Sequence, residues 1–457
     1  AITEIIDPSG RGCCKPMQSV QPLGAQPSES KWSRYMKELR DLAIFGGQPA
    51  FVAPLHVGYP NVGNRAALLQ RINDMLDRRW FTNMGPYSQE LERRIADMLG
   101  VKHCIAMCNG TVALEIAIRA LGLKGEVIVP SMTFIATVHA LQWQEITPIF
   151  CDIGPGDFNV DPSKVEQMIT PRTTGIIGVH VWGQPCDIKA LTRIAERCKL
   201  KLLFDAAHAF GCSYRGRMVG NFGNAEVFSF HATKCFNTFE GGAVVTNDDD
   251  LAAKIRLMTN FGFGGMDRVV YIGTNGKMNE VSAAMGLTSL EDLDSFIAVN
   301  KGNYLSYGEE LSDIPGIQLR RYDERERNNF HYVVLEIDET VTGLTRDELV
   351  EILHAENVLA RRYFHPGCHR MEPYRSYFPM SSLWLPETER MAKRVMVLPT
   401  GAAVEPASIE TIAHILHLAV SHASRIRSRL DQRREAKGAE MIAPTQLGQD
   451  VEVEALG

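Results

Sequence analysis

The chain has 457 residues, of which 45% are hydrophobic and 22% charged, and its formal net charge is −6. This composition is ordinary for a globular protein and lacks the basic excess of nucleic-acid binding, so it favours a small-molecule function. No run of apolar residues is long enough for a membrane span, and the first 45 residues lack the apolar core of a signal peptide. We therefore expect a cytoplasmic protein.

The first half of the chain alternates short apolar runs rich in β-branched residues with helical patterns. Alternation of this kind predicts βαβ units, and hence a mostly parallel central sheet flanked by helices. The predicted strands are 126–130, 147–152, 175–181, 201–205, 226–230 and 242–247. The predicted helices are 112–121, 134–143, 188–198 and 250–260.

The second half has a different order of elements. One long helical stretch over 280–311 precedes two strand-like runs, 331–337 and 394–399, which enclose a helix over 346–357. This order predicts a smaller C-terminal α+β domain. The complete domain prediction is a loosely ordered extension with a short helical piece near 33–42, a large α/β domain, the small domain, and a helix end with a polar tail. Their bounds are 1–45, 46–299, 300–425 and 426–457.

Ten cysteines are scattered along the chain. Disulfide frameworks belong to short secreted chains, and several of these cysteines lie inside apolar runs, so we interpret them as small buried hydrophobes. Cys104 and Cys108 have a CxxxC spacing without a second pair of ligands nearby. Structural zinc needs four ligands, and we therefore predict no metal site.

Polar residues follow three of the predicted elements. Asp205 ends an apolar strand, where a carboxylate is costly to bury without a partner. Ser229, His231 and Lys234 follow another strand, and the segment 109–118 is a glycine-containing turn that opens a helix. Ligands of parallel sheets bind beyond the carboxyl ends of the strands, so we expect these segments to meet at one site.

Pyridoxal phosphate requires the groups that these segments carry. Its aldehyde forms an imine with a lysine amine, its pyridine nitrogen pairs with an anion, and its phosphate binds at a helix start beside hydroxyl groups. Lys234 is the candidate for the imine, Asp205 for the ring nitrogen, and Gly110, Thr111 and Ser229 for the phosphate. Each residue alone has an ordinary explanation, as a surface lysine or a turn cap, and only the combination is specific.

Seven sequence blocks resemble the DegT/DnrJ/StrS family of sugar aminotransferases, which share the type I aspartate-aminotransferase fold. The resemblance covers about residues 50–425 and implies a large pyridoxal-phosphate domain and a smaller C-terminal domain. The blocks lie at 82–92, 108–122, 130–137, 204–211, 228–248, 273–287 and 360–367.

The resemblance assigns catalytic roles to three residues. Lys234 corresponds to the Schiff-base lysine, Asp205 to the partner of the pyridine nitrogen, and His208 to a residue near the ring hydroxyl. Phe134 corresponds to an aromatic residue that stacks on the cofactor ring. The alternative for Phe134 is core packing, and His208 could be an ordinary turn histidine.

The resemblance also implies how the phosphate is held. Gly110, Thr111 and Ser229 correspond to phosphate contacts, and Asn275 to an asparagine that the neighbouring subunit contributes. A homodimer with shared active sites follows from that role. An Asn-Gly pair is also a common turn, so Asn275 has a local alternative.

The expected reaction moves an amino group from glutamate to a keto sugar, which the resemblance suggests is a nucleotide-linked 4-keto-6-deoxy hexose. Four residues in two of the blocks are candidates for the acceptor pocket, with ordinary loop or domain-interface packing as the alternative. They are Asn83, Arg361, Tyr363 and His365.

Other functions remain open at this point. A related branch has histidine in place of the lysine and dehydrates its substrate, and a keto-cyclitol acceptor is also compatible with the pattern. A non-catalytic, cofactor-bound regulator is a third possibility. The presence of both Lys234 and Asp205 favours amine transfer over loss of chemistry.

Overall fold

The computed structural model describes the backbone of residues 37–442 and the side chains of residues 37–435. Most of the expected N-terminal extension and the end of the polar tail therefore lie outside the described residues. From Lys37 onward the predicted helical piece near 33–42 is a 3₁₀ turn, Leu39–Asp41, which is followed by a second turn, Ala43–Phe45. No helix of the described residues is long and apolar enough to cross a membrane.

The described chain consists of the following elements. The strands are β1 (Leu55–His56), β2 (His103–Met107), β3 (Glu126–Pro130), β4 (Thr147–Cys151), β5 (Thr173–Val179), β6 (Lys201–Asp205), β7 (Ser213–Tyr214), β8 (Arg217–Met218), β9 (Ala225–Ser229), β10 (Gly242–Thr246), β11 (Ile317–Leu319), β12 (Val333–Ile337), β13 (Val358–Leu359) and β14 (Val395–Leu398). The helices are α1 (Arg65–Arg78), α2 (Pro86–Leu99), α3 (Gly110–Ala120), α4 (Ile135–Gln142), α5 (Pro162–Gln167), α6 (Ile188–Cys198), α7 (Asp249–Thr259), α8 (Glu280–Glu291), α9 (Leu293–Glu310), α10 (Glu339–Thr342), α11 (Arg346–Ala355), α12 (Tyr374–Tyr377), α13 (Pro386–Ala392), α14 (Pro406–Ser421) and α15 (Ala423–Ile442).

The central sheet has seven strands in the order β2-β10-β9-β6-β5-β3-β4. Its pairs from β9 to β4 are parallel, and β10 alone runs antiparallel to both of its neighbours. The predicted fold class, a mostly parallel sheet flanked by helices, is confirmed. The edge strand β2 was not among the predicted strands, because its His, Cys, Ile, Ala and Met give no alternating pattern.

Both faces of this sheet are buried. Successive side chains of a strand point to opposite faces and therefore pack in different clusters. Val127 and Val129 pack in the cluster that contains residues of α3, α4 and α7. Ile128, between them, packs in the cluster of α5 and α6. In β6, Leu203 packs in the first of these clusters and Leu202 packs in the second. The polar strand ends are therefore held on a rigid two-sided core.

The predicted helical stretch over 280–311 is helical in the structure, but it is divided into two helices. Asp292 lies between α8 and α9 with non-helical backbone angles. Its Oδ2 accepts a 2.8 Å hydrogen bond from the backbone N–H of Asn64, which is 228 residues away in the chain. A contact so distant in sequence leaves no mark on the local hydrophobic pattern.

The smaller sheet has the order β11-β12-β14 and is antiparallel throughout. The predicted strands 331–337 and 394–399 correspond to β12 and β14. The predicted domain boundary at residue 300 falls inside α9, and α15 extends to Ile442, well past the predicted helix end. The division into domains stays a prediction.

Candidate active site

Several polar side chains lie at the carboxyl edge of the central sheet. Asp205 is the last residue of β6, and Ser229 is the last residue of the adjacent β9. Lys234 follows β9 in a turn closed by its own N–H, which donates to the carbonyl of His231 at 2.9 Å. This edge is where parallel sheets bind ligands, as the sequence predicted.

The Asp205 carboxylate is buried and accepts two hydrogen bonds. The Thr137 hydroxyl donates to its Oδ2 at 2.7 Å, and the N–H of Ala207 donates to its Oδ1 at 3.1 Å. Thr137 is linked in turn to the Thr133 hydroxyl at 2.8 Å. Burial raises the pKa of Asp205, while the two hydrogen bonds and the charge of Lys234 lower it, and the net direction is upward. A cationic N–H partner would offset the free-energy cost of burying the Asp205 carboxylate.

The Lys234 amine shares its surroundings with Asp205. Burial lowers the pKa of Lys234 to about 8, and the Asp205 carboxylate acts in the opposite direction. Burial lowers the pKa values of His208 and His331, and the positive charge of Lys234 acts in the same direction on both. A lysine with this pKa has a substantial fraction of neutral, nucleophilic amine near neutral pH.

A tight backbone approach forms a cradle at the start of α3. The Asn109 side chain caps the helix by accepting a 2.8 Å hydrogen bond from the N–H of Val112. A Cβ added at Gly110 would lie 3.0 Å from the Cβ of Ser229, and one added at Gly242 would lie 2.7 Å from the N of Gly110. Gly110, the first residue of the helix, thus lies against Ser229, and the free N–H groups at the start of a helix favour an anion.

His208 is buried among aromatic rings. Phe364 stacks on it with ring centroids 5.7 Å apart and an interplanar angle of 6°, and Tyr332 packs at 4.8 Å. The backbone N–H of Trp182 donates to its Nδ1 at 3.3 Å. Burial lowers the pKa of His208 well below its ordinary value, with the charge of Lys234 acting in the same direction. The imidazole is therefore neutral in this environment.

Phe134 directly precedes α4, and its side chain is 55% exposed. Thr137, the Asp205 donor, lies three residues further on, in the first turn of α4. Phe134 is thus close in the chain to the Asp205 contact. Its exposure argues against the core-packing alternative.

Asn275 lies in the loop between α7 and α8, and its side chain is exposed. This loop runs along the end of β2, because the N–H of Cys108 donates to the carbonyl of Gly276 at 2.8 Å. Asn275 pairs with Asn260 across the loop. The structure thus places its backbone close to the cradle of its own chain, and its predicted contribution to a second subunit stays a prediction.

The four candidates for the acceptor pocket divide into different environments. Asn83 is exposed in the loop before α2, with a positive φ of 61°. Arg361 is exposed and lies over the ring of Tyr363 at 5.3 Å. Tyr363 approaches Tyr332 at 6.5 Å, and so reaches the ring cluster around His208.

His365 is directed away from that cluster. Its Nδ1 lies 3.2 Å from the carbonyl of Ala392 at the end of α13, and burial lowers its pKa. Within the described residues, no recorded hydrogen bond or ring contact joins Asn83 or His365 to Lys234. The structure thus brings Tyr363 toward the site and gives no such support to Asn83 and His365.

The sequence analysis did not single out several residues that shape this site. A signal was available for Thr137 and Phe364, because both lie inside matching blocks and Thr137 is one helical turn from Phe134. No local signal marks Trp182, Asn329 or Tyr332, whose contacts join distant segments. Asn329, for example, donates a 2.8 Å hydrogen bond from Nδ2 to the carbonyl of His208, 121 residues away.

Comparison with known proteins identifies the class. The mostly parallel sheet with polar strand ends is the fold of DesI, whose crystal structure was determined in the presence of its TDP-sugar product. The TM-score is 0.82 at 49% identity, over 86% of this chain and all of that one. A structure of S. venezuelae DesV in complex with a ketimine intermediate matches with a TM-score of 0.73 at 31% identity, over 78% of this chain and 95% of that one. Both structures share the fold of this chain.

The DegT/DnrJ/EryC1/StrS aminotransferase family matches residues 64–417, and the chain belongs to that family. It is 38% identical to dTDP-4-amino-4,6-dideoxy-D-glucose transaminase of Shigella dysenteriae over 359 residues, which are 79% of this chain and 97% of that enzyme. It is 36% identical to GDP-perosamine synthase of Caulobacter vibrioides over 349 residues, 74% of this chain and 91% of that enzyme. The predicted family and aminotransferase activity are thereby confirmed.

Proposed function

We propose that this aminotransferase binds pyridoxal phosphate through Lys234 and moves an amino group from glutamate to a nucleotide-linked 4-keto-6-deoxy hexose. The observation that carries the proposal is that Asp205 ends β6 and Lys234 follows the adjacent β9, whose last residue, Ser229, lies against the start of α3. The relatives support the acceptor, since one is a dTDP-4-amino-4,6-dideoxy-D-glucose transaminase and another was crystallised with a TDP-sugar product.

The residues present fit the cofactor at three points. Lys234 offers an amine whose pKa of about 8 favours covalent attachment to an aldehyde. Asp205 is a buried carboxylate whose pKa is raised by burial, and a protonated ring nitrogen would stabilise its ionised form. The start of α3 can lie this close to Ser229 only as long as residue 110 lacks a side chain, and its free N–H groups are then available for phosphate oxygens.

When bound, the cofactor supplies an electron-withdrawing ring that stabilises negative charge on the carbon that loses its proton. The freed Lys234 amine is the base that takes the proton from the α-carbon of the amino donor. Acting in reverse, it returns a proton to the former carbonyl carbon of the sugar. Asp205 keeps the ring nitrogen protonated, and Phe134 restricts the tilt of the ring. Glutamate leaves as 2-oxoglutarate, and the keto sugar leaves as an amino sugar.

We also propose a homodimer in which Asn275 contributes to the site of its partner. The loop that carries Asn275 exposes apolar side chains, with Met266 at 93%, Ile272 at 72% and Phe261 at 46% exposure. Exposed apolar residues in one segment favour burial against another protein surface. The closeness of this loop to the cradle would bring such an interface to the phosphate.

A panel of nucleotide-linked keto sugars tests the proposal, with glutamate as donor and released 2-oxoglutarate as the readout. We expect release with a 4-keto-6-deoxy hexose and a visible absorbance band after reconstitution with pyridoxal phosphate. K234A should lose both, and K189A, at an exposed lysine of α6, should keep both. A wild-type protein that stays colourless, or that gives no 2-oxoglutarate with any sugar of the panel, would refute the proposal.

A further inference from the structure

We propose that the main-chain N–H of Trp182 fixes His208 as the neutral tautomer with its proton on Nε2. His208 is then a constant hydrogen-bond donor toward the cofactor and does not carry protons during turnover. Trp182 is a positioning residue in this account, because it acts through His208. The cofactor part of the inference rests on the proposed function, whereas the tautomer itself is a property of the protein alone.

The backbone of Trp182 has an uncommon conformation. Its φ of 54° and ψ of 26° lie in the left-handed region, which bulky side chains rarely adopt. The residue is fully buried, and its carbonyl accepts a 3.3 Å hydrogen bond from the Tyr322 hydroxyl. Backbone strain of this kind persists where the surrounding structure holds it and often has a functional purpose. Here its effect is to direct the N–H of Trp182 at Nδ1 of His208.

The identity of the donor decides the tautomer. A backbone amide can only donate, so Nδ1 of His208 must accept and cannot carry a proton. The neutral ring then has its proton on Nε2. Protonation of the ring would place two N–H groups against each other, 3.3 Å apart between the nitrogens. The nearby charge of Lys234 and the imidazole of His331 also oppose the cationic form.

The surroundings prevent the ring from turning away from Trp182. Phe364 covers one face of the imidazole in a nearly parallel stack, and Tyr332 packs against it at an angle of 59°. Asn329 holds the backbone of His208 through the 2.8 Å hydrogen bond to its carbonyl. Gly183 leaves room for this arrangement, because a Cβ there would lie 2.9 Å from the same carbonyl oxygen.

The family resemblance places His208 near the ring hydroxyl of the cofactor. A fixed Nε2–H at this place donates to the hydroxyl oxygen and favours its deprotonated form. The titratable groups that interact with His208 are Lys234, His331 and Tyr332. Because His208 stays neutral, this donation persists across the working pH range, and proton movement is left to Lys234.

Nuclear magnetic resonance of ¹⁵N-histidine-labelled protein tests the tautomer directly, in the protein without cofactor and in the reconstituted enzyme. H208Q assigns the His208 signals by their loss, and H103Q, at a surface histidine of β2, assigns an unrelated set. We expect the Nε2–H pattern for His208, unchanged between about pH 5 and 9. An Nδ1–H pattern, or titration near the ordinary histidine pKa, would overturn the proposal.

Two substitutions test the donor role. The readout is the midpoint of the change that pH causes in the visible absorbance of the reconstituted enzyme. Glutamine places its amide near the position of Nε2, whereas asparagine keeps only the part near Nδ1. H208N should therefore raise the midpoint by about one to two pH units, and H208Q should leave it close to wild type. An unchanged midpoint in H208N, or equal shifts in both variants, would overturn the donor role. Failure of the proposed function would appear separately, as a colourless wild-type protein whose His208 tautomer can still be measured.

Discussion

The Thr137 hydroxyl donates a 2.7 Å hydrogen bond to Oδ2 of Asp205 across 68 residues of sequence. Thr137 is the third residue of α4, and Phe134 directly precedes this helix. The hydroxyl that holds the carboxylate and the aromatic ring proposed to stack on the cofactor thus both lie at the start of one short helix. The orientation of Asp205 and the position of Phe134 are therefore coupled.

This arrangement predicts that T137V weakens cofactor binding by roughly tenfold or more, because a hydrogen bond to a charged group contributes about 1.5–3 kcal/mol. Loss of the donor also raises the pKa of Asp205 further and so reduces its ionised fraction. The dissociation constant of pyridoxal phosphate, from an absorbance titration, is the measurement. T137S keeps the hydroxyl and should bind as wild type, and equal binding by both variants would contradict the prediction.

The phosphate cradle predicts a specific effect of a methyl group at Gly110. G110A should weaken cofactor binding by about tenfold or more, because its Cβ would lie 3.0 Å from the Cβ and 3.2 Å from the Cα of Ser229. G302A is the matched control, since a Cβ at Gly302 in α9 meets nothing within 4 Å. Titration with pyridoxal phosphate compares the two variants, and thermal unfolding checks that both are folded. A G110A protein that binds as tightly as G302A would show that this contact does not form the phosphate site.

The buried Lys234 amine predicts a pH-dependent cost to the stability of the cofactor-free protein. Its pKa falls from 10.5 to about 8 on burial, so between these values the unfolded chain binds the proton and the folded chain does not. The free energy of unfolding therefore rises with pH over this window, and the full cost is present below about pH 8.

K234M removes the ionisable amine, and urea denaturation of the cofactor-free proteins measures the consequence. The variant should be more stable than wild type at pH 7, by on the order of 1–3 kcal/mol, and the difference should shrink toward pH 10. K189M at the exposed Lys189 is the control, with no such trend. A K234M difference that is constant from pH 7 to pH 10 would contradict the lowered pKa.

A shared active site predicts complementation between two defective variants. K234A and N275A, refolded together in equal amounts, should regain activity toward about a quarter of wild type. Half of the dimers are then mixed, and each mixed dimer contains one site with neither substitution if Asn275 acts across the interface. The 2-oxoglutarate assay measures the recovery, and each variant refolded alone is the control. No gain over the N275A control would indicate that Asn275 acts within its own chain or not at all.

The sequence by itself determined the fold class and the residues at the strand ends. Short apolar runs rich in β-branched residues, placed between helical patterns, are local properties, and they identified most strands of the central sheet. Asp205 and Lys234 were found because a polar group directly after a buried strand is conspicuous in sequence. The general rule for parallel sheets then placed both at one edge.

Only the tertiary structure decided how these residues are held. Asp292, at the break between α8 and α9, contacts the distant Asn64, and the tautomer proposed for His208 depends on a left-handed backbone at Trp182. The hydrogen bonds from Thr137 to Asp205 and from Asn329 to His208 likewise join segments far apart in the chain. Local patterns report propensity and burial, whereas the direction of a single hydrogen bond is fixed only after distant segments have packed together.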